Sequence, residues 1–154
     1  MMRCKRAFVS MSTLIARFAL GAVIAALMIL AVTNNLFSSS PLVIGAQAFA
    51  VCLAVWARRS FPTGAFRVTA TPAAGSVIQR GPYRLIRHPM YAAALLFVWA
   101  AVLSHLSALT LVVGIILTGV VATRIVLEER LLREHYPEYV TYVRSTKAVV
   151  PYLL

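Results

Sequence analysis

Uncharged apolar runs set the frame of this chain. FALGAVIAALMILAVT (18–33) follows a segment carrying Arg3, Lys5, Arg6 and Arg17. The neutral NNLFSSS (34–40) separates it from PLVIGAQAFAVCLAVWA (41–57), which stops at Arg58-Arg59. Pro41 suits a first helical position, where its missing N–H would be unpaired anyway. From Met90 to Thr123 no Lys, Arg, Asp or Glu occurs, and SHLS (104–107) interrupts that stretch. Its 34 residues exceed one bilayer crossing and suffice for two, so the pattern predicts a tight helical hairpin of 90–103 and 108–127.

At about 1.5 Å per residue the first run covers roughly 24 Å, short of a hydrocarbon core of about 30 Å. Arg17 can snorkel to extend it. The run has the outline of a signal peptide, but the basic region is long and no small-x-small site follows. A retained first span is expected, whether translation starts at Met1, Met2 or Met11. The segment 58–89 is rich in Pro, Gly, Ser and Thr and reads as a loop, with a short extended piece at Phe66–Thr69. The fourth helix is expected to leave the membrane and continue to about Glu134, where Pro137 breaks it. Beyond it Tyr139, Tyr142 and Val143 recur at i, i+3 and i+4, the spacing of a short amphipathic helix lying on the membrane or over a site.

Composition agrees with the pattern. The 154 residues are 61% hydrophobic and 12% charged, against about 25% charged in soluble domains. The net charge of +11 would suit nucleic acid, but the basic residues flank apolar segments and form no solvated face. They sort by topology instead. With four spans and both termini cytoplasmic, four lie in the N-terminal tail, six between Arg58 and Arg87, and five from Arg124 to Lys147. All 15 then fall inside. The expected fold is a single all-α integral membrane domain over 1–154, with four transmembrane helices. Loop 58–89 and tail 128–154 are cytoplasmic, and the tail holds the amphipathic helix. Cys4 and Cys52 should sit at different depths, which argues against a disulfide, and no Cys/His spacing suits a metal.

The acids narrow the chemistry. All four lie between Glu128 and Glu138, so any carboxylate work falls to that segment. Arg124 and Glu128 are spaced for an intrahelical ion pair. Glu129 lies about 140° round the helix from Arg124 and needs other cations; Arg84, Arg87 and His88 are on the same side of the bilayer. Those residues belong to RGPYRLIRHPMY (80–91), a basic segment laid against the third apolar run. Pro89 suits the first position of that helix, leaving His88 as its flanking residue. The helix N-terminus beside Arg87 then offers free N–H groups and partial positive charge to an anionic group. The alternative is plain interfacial anchoring by Tyr83, Tyr91 and the arginines. Together the two walls suit a zwitterion with an amino acid moiety, with apolar helices admitting a lipid-like second substrate.

GPYRLIRHPMY resembles the Gly-x-Tyr-(x)n-Arg-His-Pro-x-Tyr motif of the isoprenylcysteine carboxyl methyltransferases and their bacterial relatives. Arg124-Ile-Val-Leu-Glu128-Glu129, followed by Glu138-Tyr139-x-x-Tyr142 and Pro151, is similar to that family's C-terminal signature. Phospholipid N-methyltransferases share the paired glutamates and the broad architecture. The likeness covers about 75–152 and departs at Tyr136-Pro137, where many members have Phe-Gly. It implies a bacterial inner-membrane methyltransferase using S-adenosylmethionine. It also implies that Tyr83, Arg87, His88, Pro89, Tyr91 and Glu128 contact the cofactor, while Arg124 and Glu129 lie near the methyl acceptor. The acceptor is expected to be lipophilic or lipid-anchored, and a carboxylate. The alternatives are N-methylation of a phospholipid amine and, outside enzymes, a small four-helix transporter or assembly protein. A soluble dinucleotide-type fold is excluded by the missing Gly-rich turn and its downstream acid.

Overall fold

The computed structural model describes residues 2–61 and 78–149. Helix α1 runs Met2–Val32, α2 Pro41–Arg59, α3 Pro89–Ser104, α4 Ala108–His135 and α5 Tyr139–Ser145, with a 3-10 turn at Gly81–Arg84. Among the described residues there is no strand. The extended piece expected at Phe66–Thr69 lies outside the described residues.

Two helices, Pro41–Arg59 and Ala108–Glu134, are long and apolar enough to cross a membrane, while Arg17–Val32 and Pro89–Ser104 are shorter apolar helices. The apolar run expected as the first span is the second half of α1, and the helix itself begins well before it, at Met2. Residues 2–17 contain no Pro or Gly, so nothing there stops a helix; the charges mark where the apolar run ends, not where the helix does.

The hairpin forms where SHLS predicts it. Ser107 caps α4: its hydroxyl accepts from Thr110 N at 3.2 Å while Ser107 N donates to Thr110 Oγ1 at 3.0 Å. Thr110 is fully buried and its hydroxyl donates to His105 O at 2.8 Å, closing the turn. Deeper in the hairpin Trp99 Nε1 donates to Thr118 Oγ1 at 3.0 Å. The buried positions then set the packing. In α2 they are Val43, Gln47, Ala50 and Ala57, one stripe of helical period against α3. Ala26 and Leu30 of α1 meet Val98, Ala101 and Val102 of α3 and Val113, Leu117 and Val121 of α4 in one core. The opposite faces are equally apolar: Ile24, Met28, Phe49, Val55, Val112 and Ile116 are all exposed. Helices apolar all round, with most of that surface uncovered by protein in the two long ones, suit a lipid solvent.

The register of α4 has a consequence for the site. Its inward positions run Val113, Leu117, Val121 at steps of four, and the next buried residue, one step of three further on, is Arg124. A guanidinium is thereby carried into the interior at the end of an apolar stripe, with only 2% of the residue exposed.

Gly81 opens the turn before the site with φ +56°, a conformation other residues adopt at a cost of about 1–3 kcal/mol. A Cβ there would also meet Ser60 Oγ, which is tied to Trp56 O at 2.9 Å. Gly81→Ala is therefore expected to lower the melting temperature in detergent by several degrees. An unchanged melting curve would show that the turn relaxes freely.

Candidate functional site

The middle of α1, Phe61 just past α2, the 80–88 segment, the start of α3 and the far part of α4 meet around a cavity of about 300 Å³. Its polar wall is Tyr83, Arg87, His88, Tyr91, Arg124 and Glu128. Its apolar wall includes Leu20 and Val23 of α1, Ala94 of α3 and Val121 of α4. Helix α1 thus lines a site that its sequence does not announce. Phe61, set edge-on to Tyr83 with ring centroids 5.4 Å apart, adds an aromatic corner, and it too was not anticipated.

The polar wall is held by two networks. In the first, Arg124 Nε donates to Tyr91 Oη at 3.0 Å and that hydroxyl donates to Glu128 Oε2 at 2.9 Å. Arg124 Nη2 lies 3.5 Å from the same carboxylate oxygen, so the spacing expected for an intrahelical pair is realised with Tyr91 bridging it. In the second, Glu129 receives Arg87 Nε at 2.7 Å and Arg133 Nη2 at 3.2 Å. The acid census called for cationic partners, and Arg87 is the strongest of them. His88 Nε2 is 3.5 Å from Glu129 Oε1, within ion-pair range but without hydrogen-bond geometry. Arg84 takes no place in the cavity wall and stays exposed on the turn. Glu129 is not among the lining residues; it holds one that is, Arg87, and lies beside another, His88.

Pro89 begins α3 and His88 flanks it, as the helix-start pattern predicts. His88 stacks on Tyr91 with centroids 5.5 Å apart and is 5% exposed. The N–H of His88, however, donates to Ala148 O at 2.9 Å, so the tail occupies that donor. Pro89 has none, and the first-turn N–H groups left for a ligand are those of Met90 and Tyr91.

The tail docks on this segment. Lys147 and Ile86 form a parallel β-bridge. Helix α5 turns its aromatic face inward: Tyr139 and Tyr142 are buried, and Tyr142 Oη donates to Tyr83 O at 2.6 Å. Burial pushes the Tyr142 phenol up to about 12, against the pull of nearby Arg87, so it remains a donor at any ordinary pH. Burial and then Glu128 push the Tyr83 phenol up as well. Of the expected covering or surface-lying roles for α5, the contacts show a buttress behind the wall.

The residues suit a zwitterionic cofactor. Among the described residues two buried side-chain polar atoms lack a hydrogen-bond partner, His88 Nε2 and Tyr139 Oη. The first belongs to the cavity wall, where a polar ligand group would satisfy it. Cations, a carboxylate and helix N–H groups lie within one cavity that also has an apolar side. The family model for phospholipid methyltransferase matches residues 39–139. No curated protein and no solved structure gives a match.

Proposed function

This chain belongs to the phospholipid methyltransferase family, and on that footing we propose an integral-membrane enzyme that uses S-adenosylmethionine to O-methylate a carboxylate on a lipid-like or prenylated acceptor. The apolar part of α1, with α2, α3 and α4, makes four spans with both termini cytoplasmic, in a bacterial inner membrane. The observation that carries the reading is Arg124, buried at the end of an apolar stripe and oriented by Tyr91 and Glu128.

S-adenosylmethionine, when bound, supplies a methyl group already activated on a sulfonium. The chain's own residues then bind, orient and exclude water. His88, Tyr83, Pro89, Tyr91, Arg87 and Glu128 would hold the cofactor: His88 by its unpaired Nε2, the first turn of α3 by its N–H groups, and Glu128 by its charge. Arg124 would receive the acceptor carboxylate, with the apolar chain lying along Leu20, Val23 and Ala94. Glu129 acts on the site through Arg87, whose position it sets. A carboxylate acceptor needs no base, which suits a cavity whose one lining carboxylate is engaged by Tyr91 and Arg124.

The family description favours a second reading, N-methylation of a phospholipid amine. Membranes incubated with methyl-labelled S-adenosylmethionine and then lipid-extracted separate the two. Alkali-labile label is expected for an ester. Label in a phosphatidyl headgroup would replace our reading with the second. Failure of the purified protein to bind S-adenosylhomocysteine by calorimetry would reject both and favour a small membrane transporter or assembly protein.

A further inference from the structure

The segment 83–88 has two sides. Tyr83, Arg87 and His88 send side chains to the cavity. Behind them lies the tail, which contributes no cavity-lining residue among those described. Even so, six hydrogen bonds among the described residues join the two. Tyr142 Oη donates to Tyr83 O, Lys147 N to Leu85 O, Arg87 N to Lys147 O and His88 N to Ala148 O. The Arg87 guanidinium adds Val143 O at 3.3 Å and Thr146 O.

Among the described residues Arg87 is the one side chain that reaches both supports. Its Nε is bound to Glu129 of α4 while its Nη1 holds two tail carbonyls. A planar fork with several fixed donors can bridge partners on two elements at once; a lysine ammonium is a compact point charge without that geometry.

We infer that Arg87, besides facing the cavity, latches the docked tail to α4, so that residues 142–148 act as positioning residues and set the affinity of a cavity they do not line. This rests on the methyltransferase reading and assigns the tail a part in it. An undocked tail would leave the N–H groups of Arg87 and His88 unpaired and free the backbone carrying three cavity side chains. The expected signature is a loss of cofactor affinity with little change in the chemical step. Cavity contacts made independently of the tail would not respond to a change at Tyr142.

The test uses the full chain in detergent, with S-adenosylhomocysteine binding measured by calorimetry for wild type, Tyr142→Phe, Arg87→Lys and the double variant. Tyr142→Phe removes one hydroxyl and keeps the ring. It is expected to weaken binding about fivefold or more, and Arg87→Lys about tenfold or more. The double variant should bind no worse than about twofold below Arg87→Lys, because both changes release the same contact. In turnover assays the KM for S-adenosylmethionine should rise in Tyr142→Phe while kcat and acceptor KM stay within about threefold. Unchanged binding in Tyr142→Phe, fully additive losses, or a fall in kcat at constant KM would overturn the inference. No binding by the wild-type protein would instead overturn the methyltransferase reading beneath it.

Discussion

Glu129→Ala is expected to abolish methyl transfer from labelled S-adenosylmethionine while leaving the protein in the membrane fraction. The carboxylate is largely buried, its side chain 13% exposed, and it receives Arg87 at 2.7 Å. Removing it strands a guanidinium that is itself 10% exposed at the side chain. Breaking a buried pair from one side costs about 3–5 kcal/mol, mainly because the remaining charge has lost its compensation. That cost falls on the 83–88 wall and not on the helices, whose apolar surfaces keep them in lipid regardless. Glu129→Gln retains an acceptor for Arg87 Nε without the charge, so it should keep part of the activity. Wild-type turnover in Glu129→Ala would sink the assignment. Loss of the protein from the membrane fraction would show that the glutamate serves folding first.

How much of this arrangement was legible beforehand depends on the kind of signal. Pro41, Pro89 and SHLS are local punctuation, and the helices start and stop beside them. The pairing of Glu129 with Arg87 was readable for another reason: with four acids in the chain, few partners exist for a basic loop fixed on the same side. Arg84 shows the limit of that reasoning, since composition cannot say which arginine of a turn faces in, and Arg84 stays exposed. The tail contacts were invisible for a deeper reason. Tyr142, Arg87, Lys147 and His88 bind backbone atoms, and a carbonyl looks the same in every residue. Nor could the pattern show that α1 lines the cavity, because Leu20 and Val23 read as any lipid-facing or core residues would. Charge marks the edge of an apolar run and not the end of a helix, which continues through arginines without difficulty, so the N-terminal extension of α1 has no signal in the hydropathy pattern.

Arg124→Ala is expected to lower turnover at least about 100-fold on a carboxylate acceptor, while S-adenosylhomocysteine binding, disturbed only through Tyr91 and Glu128, weakens by no more than about tenfold. The two readouts diverge because Arg124 is assigned to the acceptor and His88 to the cofactor. Truncation leaves Tyr91 Oη without the donor at 3.0 Å and Glu128 without its cation at 3.5 Å, so some loss of order at the hairpin end is included in the effect. Arg124→Lys separates charge from geometry. It restores a cation near Glu128, but an ammonium does not reproduce the fork that engages Tyr91 and Glu128 together, so turnover should recover by less than about tenfold. The same variants distinguish the two methylation chemistries. A buried guanidinium stabilises an anionic acceptor and repels an ammonium one. If Arg124→Ala retained or raised methylation of a phospholipid amine while showing no carboxylate activity, the acceptor would be the amine. Glu128, released from Arg124, would then be the residue to examine as its base. If the variant instead lost cofactor binding in step with turnover, Arg124 would belong to the cofactor's half of the cavity and the acceptor's position would have to be sought along α1.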